Sequence, residues 1–486
     1  MRIPSGPMTR RDMLTGMAGA ASLGRPVRAQ RHGTALNVLY FCVDDLNHAA
    51  SIYGNPVAKT PNLERLSRRG VTFDHAYCQY PLCQPSRTSF LSGKRPETTK
   101  VWTLETPTRE YIGDSILLPE LFRKNGYHTA HAGKIFHTGE QCEDRRSWDR
   151  ELRDFGKTPP RDQILKASTA KGPKGHTFEW DILKTPDEQM PDGVYARKIV
   201  EWLEEAARQR TPFFLGCGFR RPHAPYAAPK KYYELFPVDR MSLPDTAPDD
   251  FKRVLPAAVN HSPPDKPLTD TEVREQLRAY YAAVSFVDAQ LGLVLDAMDR
   301  LQLWDTTAVV FHSDHGYLLG EHGGMWHKNS LFEPAASVPL IVYVPGIKAS
   351  GHHSTRLVEL VDVYPTLAEA CGLEAPSDLE GISLRPLLDD PGRPWKRCAF
   401  TMQGRDKKRM EAPKDIEFIG KTVRTERYRY TEWDAGKQGY ELYDEKKDPR
   451  ENENLAGRSS HKHVQAELRE LLHKGWRAGL PDGVRG

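Results

Sequence analysis

The chain has 486 residues, enough to bury a large core, and its net charge of +4 at pH 7 is slight for that length. No cluster of Lys and Arg is dense enough to track a phosphate backbone, which argues against a nucleic-acid binder. The sequence also offers no uninterrupted apolar run of about 18 residues to cross a membrane.

At the N-terminus, Thr9-Arg10-Arg11-Asp12-Met13-Leu14 precedes a mildly apolar run from Thr15 to Leu23, and Val27-Arg28-Ala29 offers a small-residue cleavage site before Gln30. This resembles a bacterial twin-arginine export signal, which sets residues 1–29 apart from the fold and implies a periplasmic or extracellular protein. Ala35 to Val43 is short, apolar and rich in β-formers, and is bounded by Asp44-Asp45, so it predicts a central strand. Thr60-Pro61 followed by Leu63 and Leu66 predicts a helix start, with proline in its first turn. Further strands are predicted from Tyr127, at Phe213–Gly216, Ala308–His312 and Leu340–Val344. Helices are predicted at Leu117–Lys124, Val194–Arg208, Glu272–Leu301 and Leu360–Cys371.

Apolar strands separated by amphipathic helices define an α/β fold, a mostly parallel sheet covered on both faces. The polar stretch 138–190 reads as a long excursion. Beyond Leu388 the pattern changes to short strands at Phe418–Val423, Arg427–Trp433 and Tyr440–Tyr443, then a helix at Val464–Trp476. The expected organisation is therefore a catalytic domain over 35–388 and a smaller C-terminal subdomain over 389–486, containing an antiparallel sheet.

Seven cysteines, at 42, 78, 83, 142, 217, 371 and 398, show no C-x-x-C spacing, which disfavours zinc. Their disulfide pairing stays open. One of them carries the strongest signal in the chain. Cys83 opens the run C-Q-P-S-R-T-S-F-L-S-G-K-R, residues 83–95, and a cysteine followed by Pro85, Ser86 and Arg87 resembles the maturation motif of type I sulfatases. In that family a formylglycine-generating enzyme oxidises the cysteine to Cα-formylglycine. The aldehyde hydrates, one hydroxyl attacks sulfur, and the other expels sulfate, which a plain thiol cannot do.

Asp44 and Asp45 sit just beyond the first strand, and Asp314 and His315 just beyond the strand at 308–312. Ligand sites in open α/β sheets gather at such carboxyl ends. Adjacent side chains on a strand point to opposite faces, so both aspartates can serve one ion only where the strand has ended. Arg87 lies one helical turn after Cys83 and can reach the same site. Lys134 and His137 occur in Gly133-Lys134-Ile135-Phe136-His137, His223 in Arg221-Pro222-His223-Ala224-Pro225-Tyr226, and Lys328 in Met325-Trp326-His327-Lys328-Asn329. Tyr317 is a candidate pocket wall.

Together with Val43-Asp44-Asp45-Leu46, Gly93 to Thr99, Ser313 to Gly323 and Glu441-Leu442-Tyr443-Asp444, these segments resemble the sulfatase family over nearly the whole mature chain. The similarity is greatest to its iduronate-2-sulfatase-like branch, which has histidine at the place of His315. The resemblance implies an alkaline-phosphatase-like fold and a Ca2+ ion held by Asp44, Asp45, Asp314, His315 and an oxygen of modified Cys83. It implies that Arg87, Lys134 and Lys328 hold sulfate, that His137 accepts a proton and that His223 is the acid for the leaving group. The expected substrate is a sulfated carbohydrate, such as a 2-sulfated uronic acid unit. Two other readings remain at this level: a phosphate or phosphonate ester hydrolase of the same superfamily, and a non-catalytic sugar-binding relative. Oligomeric state is not legible.

Overall fold

The computed structural model describes residues 35–153, 161–168, 179–246, 250–259, 268–406 and 416–484. The export-signal segment lies outside the described residues. From Leu36 onward the chain folds as one unit. Its central strand is β1 (Asn37–Asp44), where every residue after Asn37 is buried, the pattern of a strand covered on both faces.

Around it stand β2 (Val71–Tyr77), β3 (His128–Gly133), β4 (Arg150–Leu152), β5 (Phe213–Pro222), β6 (Thr307–Ser313), β7 (Ser337–Tyr343) and β8 (His353–Glu359). Among the described residues these form an eight-stranded sheet in the order β8-β2-β7-β6-β1-β5-β3-β4. Only β7 runs against its neighbours β2 and β6; β1 is parallel to both β5 and β6. The sheet is thus mixed but mostly parallel, and the carboxyl ends of β1, β3, β5 and β6 share one edge.

Helices cover both faces: α1 (Pro61–Ser67), α2 (Cys83–Ser92), α3 (Leu118–Lys124), α4 (Pro191–Gln209), α5 (Asp270–Arg300) and α6 (Val363–Ala370). The start of α5 is set by a reciprocal cap: the Thr269 hydroxyl accepts from the Glu272 amide at 3.3 Å, and the Glu272 carboxylate accepts from the Thr269 amide at 2.8 Å. By length and composition α5 is the one described helix apolar enough to cross a membrane, but 78% of its apolar window is buried inside the protein. That is the profile of a core helix.

The C-terminal sheet is a four-stranded antiparallel meander, β9 (Cys398–Asp406), β10 (Ile416–Thr425), β11 (Tyr428–Trp433) and β12 (Tyr440–Asp444), followed by α7 (Lys462–Lys474). The strands β2, β8 and β9 were not expected. Val71–Tyr77 carries Asp74 and His75 within it, and His353–Glu359 is an edge strand with exposed polar residues, so neither shows the continuous apolar run of β1. The 138–190 excursion is not wholly outside the sheet either, since it contributes the edge strand β4.

Candidate active site

β1 ends at Asp44, and its register against β5 slips between Val43 and Asp44. Asp45 then adopts a left-handed backbone, φ 65°, which breaks the alternation and brings both carboxylates to one site. Next door, the Asp314 amide donates to the Val43 carbonyl at 3.0 Å, extending the β1–β6 ladder by one bond. Asp314 Oδ1 accepts from the backbone amides of Asp45 (3.2 Å) and His315 (3.0 Å). All four side chains are buried.

Cys83 is the first residue of α2, and its sulfur lies at the centre of the group. It is 3.4 Å from Asp44 Oδ1, 3.4 Å from His315 Nε2 and 3.0 Å from Lys328 Nζ. One turn along, Arg87 is wholly buried. Its Nε donates to Asp314 Oδ2 at 3.0 Å, and its Nη1 donates to the carbonyls of Lys134 (2.5 Å) and Ile135 (3.0 Å).

Lys134 follows β3, where Gly133 is left-handed at φ 81° and so close to β5 that an added Cβ would lie 2.1 Å from the Gly218 carbonyl oxygen. This contact turns Lys134 inward, and its Nζ meets Asp44 Oδ2 at 2.5 Å. Lys328, between the left-handed residues His327 and Asn329, meets Asp45 Oδ1 at 2.6 Å. His223 directs Nε2 towards Asp45 Oδ2 at 4.0 Å and donates from Nδ1 to the Ala224 carbonyl at 2.7 Å. His137 is half-buried, and its Nδ1 is enclosed with no hydrogen-bond partner. Direct contacts therefore link Asp44, Asp45, Cys83, Arg87, Lys134, His223, Asp314, His315 and Lys328. His137 follows Lys134 by three residues and has no such contact. Tyr317 is not a pocket wall: it is 1% exposed and stacks on Tyr280 at 5.9 Å, supporting the loop from within.

Three carboxylates face three permanent cations, and burial sharpens their interaction. Burial alone would raise Asp44, but the permanent cations Lys134, Arg87 and Lys328 hold it well below the usual carboxylate range. Burial carries Asp45 up to about 7 despite Lys328. On His315 burial disfavours charge, yet Asp314 and Cys83 together outweigh it and raise the imidazole to about 9. Burial pushes the Cys83 thiol up, as does Asp44, while Lys134 and Lys328 bring it below its ordinary value. Burial, with Lys134 beside His137 and Lys328 beside His223, holds both imidazoles neutral.

The ligand atoms of Asp44, Asp45, Cys83 and His315 lie within 4.8 Å of one another, and Asp314 Oδ2 stands 3.5 Å from His315 Nε2. As encoded, the set contains a thiol, a poor ligand for a hard cation. With an oxygen at position 83 it becomes oxygen-rich and fits calcium.

Several supporting residues escaped sequence reasoning. The Tyr280 hydroxyl donates to the Asp45 carbonyl at 2.7 Å and accepts from the Asn47 amide at 3.0 Å, fixing the turn after β1. The Ser313 hydroxyl accepts from the Leu46 amide at 2.9 Å. Ser86 hydrogen-bonds the Asp314 carbonyl oxygen. Tyr280 lies in the middle of α5 and carried no local signal; Ser86 was visible only as part of the motif.

A buried cysteine at a helix start beside acidic strand ends, on a mostly parallel sheet of this layout, is an arrangement of the alkaline-phosphatase-like fold. Residues 36–373 match the sulfatase family, and residues 320–477 match the C-terminal region described for N-sulphoglucosamine sulphohydrolase. Human iduronate 2-sulfatase is 32% identical, with 85% of this chain and 87% of that protein aligned. Two solved structures share the fold at 22% identity. One, in complex with its substrate D-glucosamine-2-N,6-O-disulfate, has a TM-score of 0.72 and aligns over 91% of this chain and 97% of its own. The other, a phosphonate monoester hydrolase from Silicibacter pomeroyi, has a TM-score of 0.77 and aligns over 90% and 94%. The chain belongs to the sulfatase family and is a sulfuric ester hydrolase with iduronate-2-sulfatase-like relatives.

Proposed function

We propose that this protein removes sulfate from a 2-sulfated uronic acid, or a related unit of a sulfated polysaccharide. It would use formylglycine made from Cys83 by a formylglycine-generating enzyme, and Ca2+ held by Asp44, Asp45, Asp314 and His315. The observation that carries the reading is the convergence on Cys83 Sγ of Asp44, His315 and Lys328 within hydrogen-bonding range, with the ligand atoms of Asp44, Asp45, Cys83 and His315 all within 4.8 Å of one another. The sulfur marks where the oxygens of the modified residue would stand. Identity to human iduronate 2-sulfatase supports the sugar class. The N-terminal twin-arginine pattern supports export to the periplasm or beyond.

When present, formylglycine would supply an oxygen nucleophile that regenerates itself, and calcium would supply positive charge beside it. The chain does the rest. In the net reaction water and a sulfate ester give an alcohol and hydrogen sulfate, so the ester S–O bond breaks and a proton must reach the leaving oxygen. Lys134 and Lys328 neutralise the sulfate oxygens, while Arg87 fixes Asp314 and the Lys134 turn. His223 holds its Nδ1 hydrogen on the Ala224 carbonyl, which leaves Nε2 to take up a proton when the anionic ester offsets the charge of Lys328, and to pass it to the leaving oxygen. His137, neutral with an unpartnered Nδ1, accepts the proton released at the nucleophile.

The test combines two measurements on protein matured with the modifying enzyme. The peptide holding Cys83 is expected to weigh about 18 Da less than its cysteine form, since the thiol's sulfur is lost and oxygen gained. Turnover of a 2-sulfated uronate disaccharide is expected to exceed that of matched phosphate and phosphonate esters. Full activity with an intact thiol, or a preference for phosphorus esters, would overturn the assignment.

A further inference from the structure

A second group of metal-ligating side chains, separate from these contacts, is formed by His131 of β3 and by Glu143 and Glu151, which follow that strand. His131, in the middle of β3, is fully buried, and its ring packs on Trp148 with centroids 4.6 Å apart. Its Nδ1 lies 3.2 Å from the Gly133 carbonyl oxygen, which can only accept, so Nδ1 carries the hydrogen. In the neutral ring Nε2 is therefore the nitrogen that can ligate. It is enclosed, has no hydrogen-bond partner, and faces Glu151 Oε2 at 3.9 Å. Glu143, 8% exposed, completes the group: the ligand atoms of His131, Glu143 and Glu151 lie within 4.8 Å of one another. A buried imidazole nitrogen turned towards carboxylate oxygens is unfavourable unless a proton or a metal cation lies between them.

We propose that His131, Glu143 and Glu151 bind a second divalent cation of the zinc or manganese class. One imidazole and two carboxylates suit such an ion, whose bonds of about 2.0–2.2 Å set tetrahedral ligand atoms about 3.4 Å apart. The His131–Glu151 separation of 3.9 Å then needs to close by only about 0.5 Å. The Gly133 carbonyl on Nδ1 is the kind of outer partner that fixes a ligating tautomer. Glu151 is part-exposed and leaves an entry path and a position for water. Arg153 is the cation that competes. It bonds Glu151 through Oε1, at 2.8 Å, leaving Oε2 to the ion, and stands 3.9 Å from Glu143 Oε2 and 3.3 Å from Glu140 Oε1. His131 and Glu151 are register partners across β3 and β4, so the ion would fasten the edge strand to β3 two residues before Gly133-Lys134. It acts by position and does not touch substrate.

The test uses the full chain in excess calcium, with Co2+ and Zn2+ as probes. Wild type is expected to bind one equivalent of Co2+ with a ligand-field absorption band, and Zn2+ should displace it. Glu143→Gln and the part-exposed Glu151→Gln are each expected to weaken this binding at least about tenfold, while Asp45→Asn leaves it in place. If Glu143→Gln folds poorly, Glu151→Gln decides. Unchanged binding in Glu151→Gln, loss of the band in Asp45→Asn, or no binding in excess calcium would each overturn the proposal.

Discussion

Arg87 offers a direct measure of how the charged site is held together. Its guanidinium is wholly buried, donates to Asp314 and to the carbonyls of Lys134 and Ile135, and lies 3.5 Å from Asp44 Oδ1 through Nη2. Hydrogen bonds that involve a charged group contribute about 1.5–3 kcal/mol each, and removing one member of a buried ion pair costs about 3–5 kcal/mol. Arg87→Ala orphans Asp314 Oδ2, with only His315 Nε2 nearby at 3.5 Å, and leaves two carbonyls without a donor. Those contributions overlap, so the expected loss is about 4 kcal/mol rather than their sum. The assay is urea unfolding followed by tryptophan fluorescence, with a chelator present so that no metal ion masks the carboxylates. Adding Asp314→Asn removes the stranded charge and should recover about 1.5 kcal/mol or more, a coupling that independent sites do not show. A loss below about 1 kcal/mol for Arg87→Ala, or simple additivity in the double variant, would refute the argument.

Lys328→Met keeps the aliphatic stem and removes the ammonium beside Cys83. We expect kcat/KM on a sulfated disaccharide to fall about 10²–10³-fold, and a value near wild type would show that the charge is not aimed at the reacting group. Gly133→Ala puts a Cβ 2.1 Å from the Gly218 carbonyl at a left-handed residue. Strain of about 1–2 kcal/mol plus the clash should lower the unfolding midpoint and displace Lys134, so both stability and turnover fall; an unchanged midpoint contradicts this. Stability should also fall in acid. Burial depresses His312 from its ordinary 6.5 to about 4, so between those values the unfolded chain binds a proton that the folded chain refuses. Its contribution is complete above pH 6.5 and is lost as pH falls towards 4, on the order of 3 kcal/mol. Urea midpoints from pH 7 to 4.5 measure the slope, which should flatten in His312→Gln; an identical slope would exclude this histidine.

Much of this protein was legible in the order of its residues. The unbroken apolar run of β1, the proline-led start of α1 and the long amphipathic α5 each announce themselves locally, because period and capping are properties of neighbouring residues. The motif at 83–95 and the acidic pairs at two strand ends were equally visible, since their chemistry depends on residue type and short spacing. Other features were decided only in three dimensions. Polar strands such as β8 exist because a sheet edge was available to pair with. Tyr280 supports Asp45 from a position 235 residues away in sequence. The left-handed Asp45, the Gly133–Gly218 contact that aims Lys134, and the burial that sets the charge states of His137 and His223 all arise when distant segments are packed out of water. Sequence named the candidate groups; packing determined their directions and their protonation, because both depend on neighbours that the chain brings together only on folding.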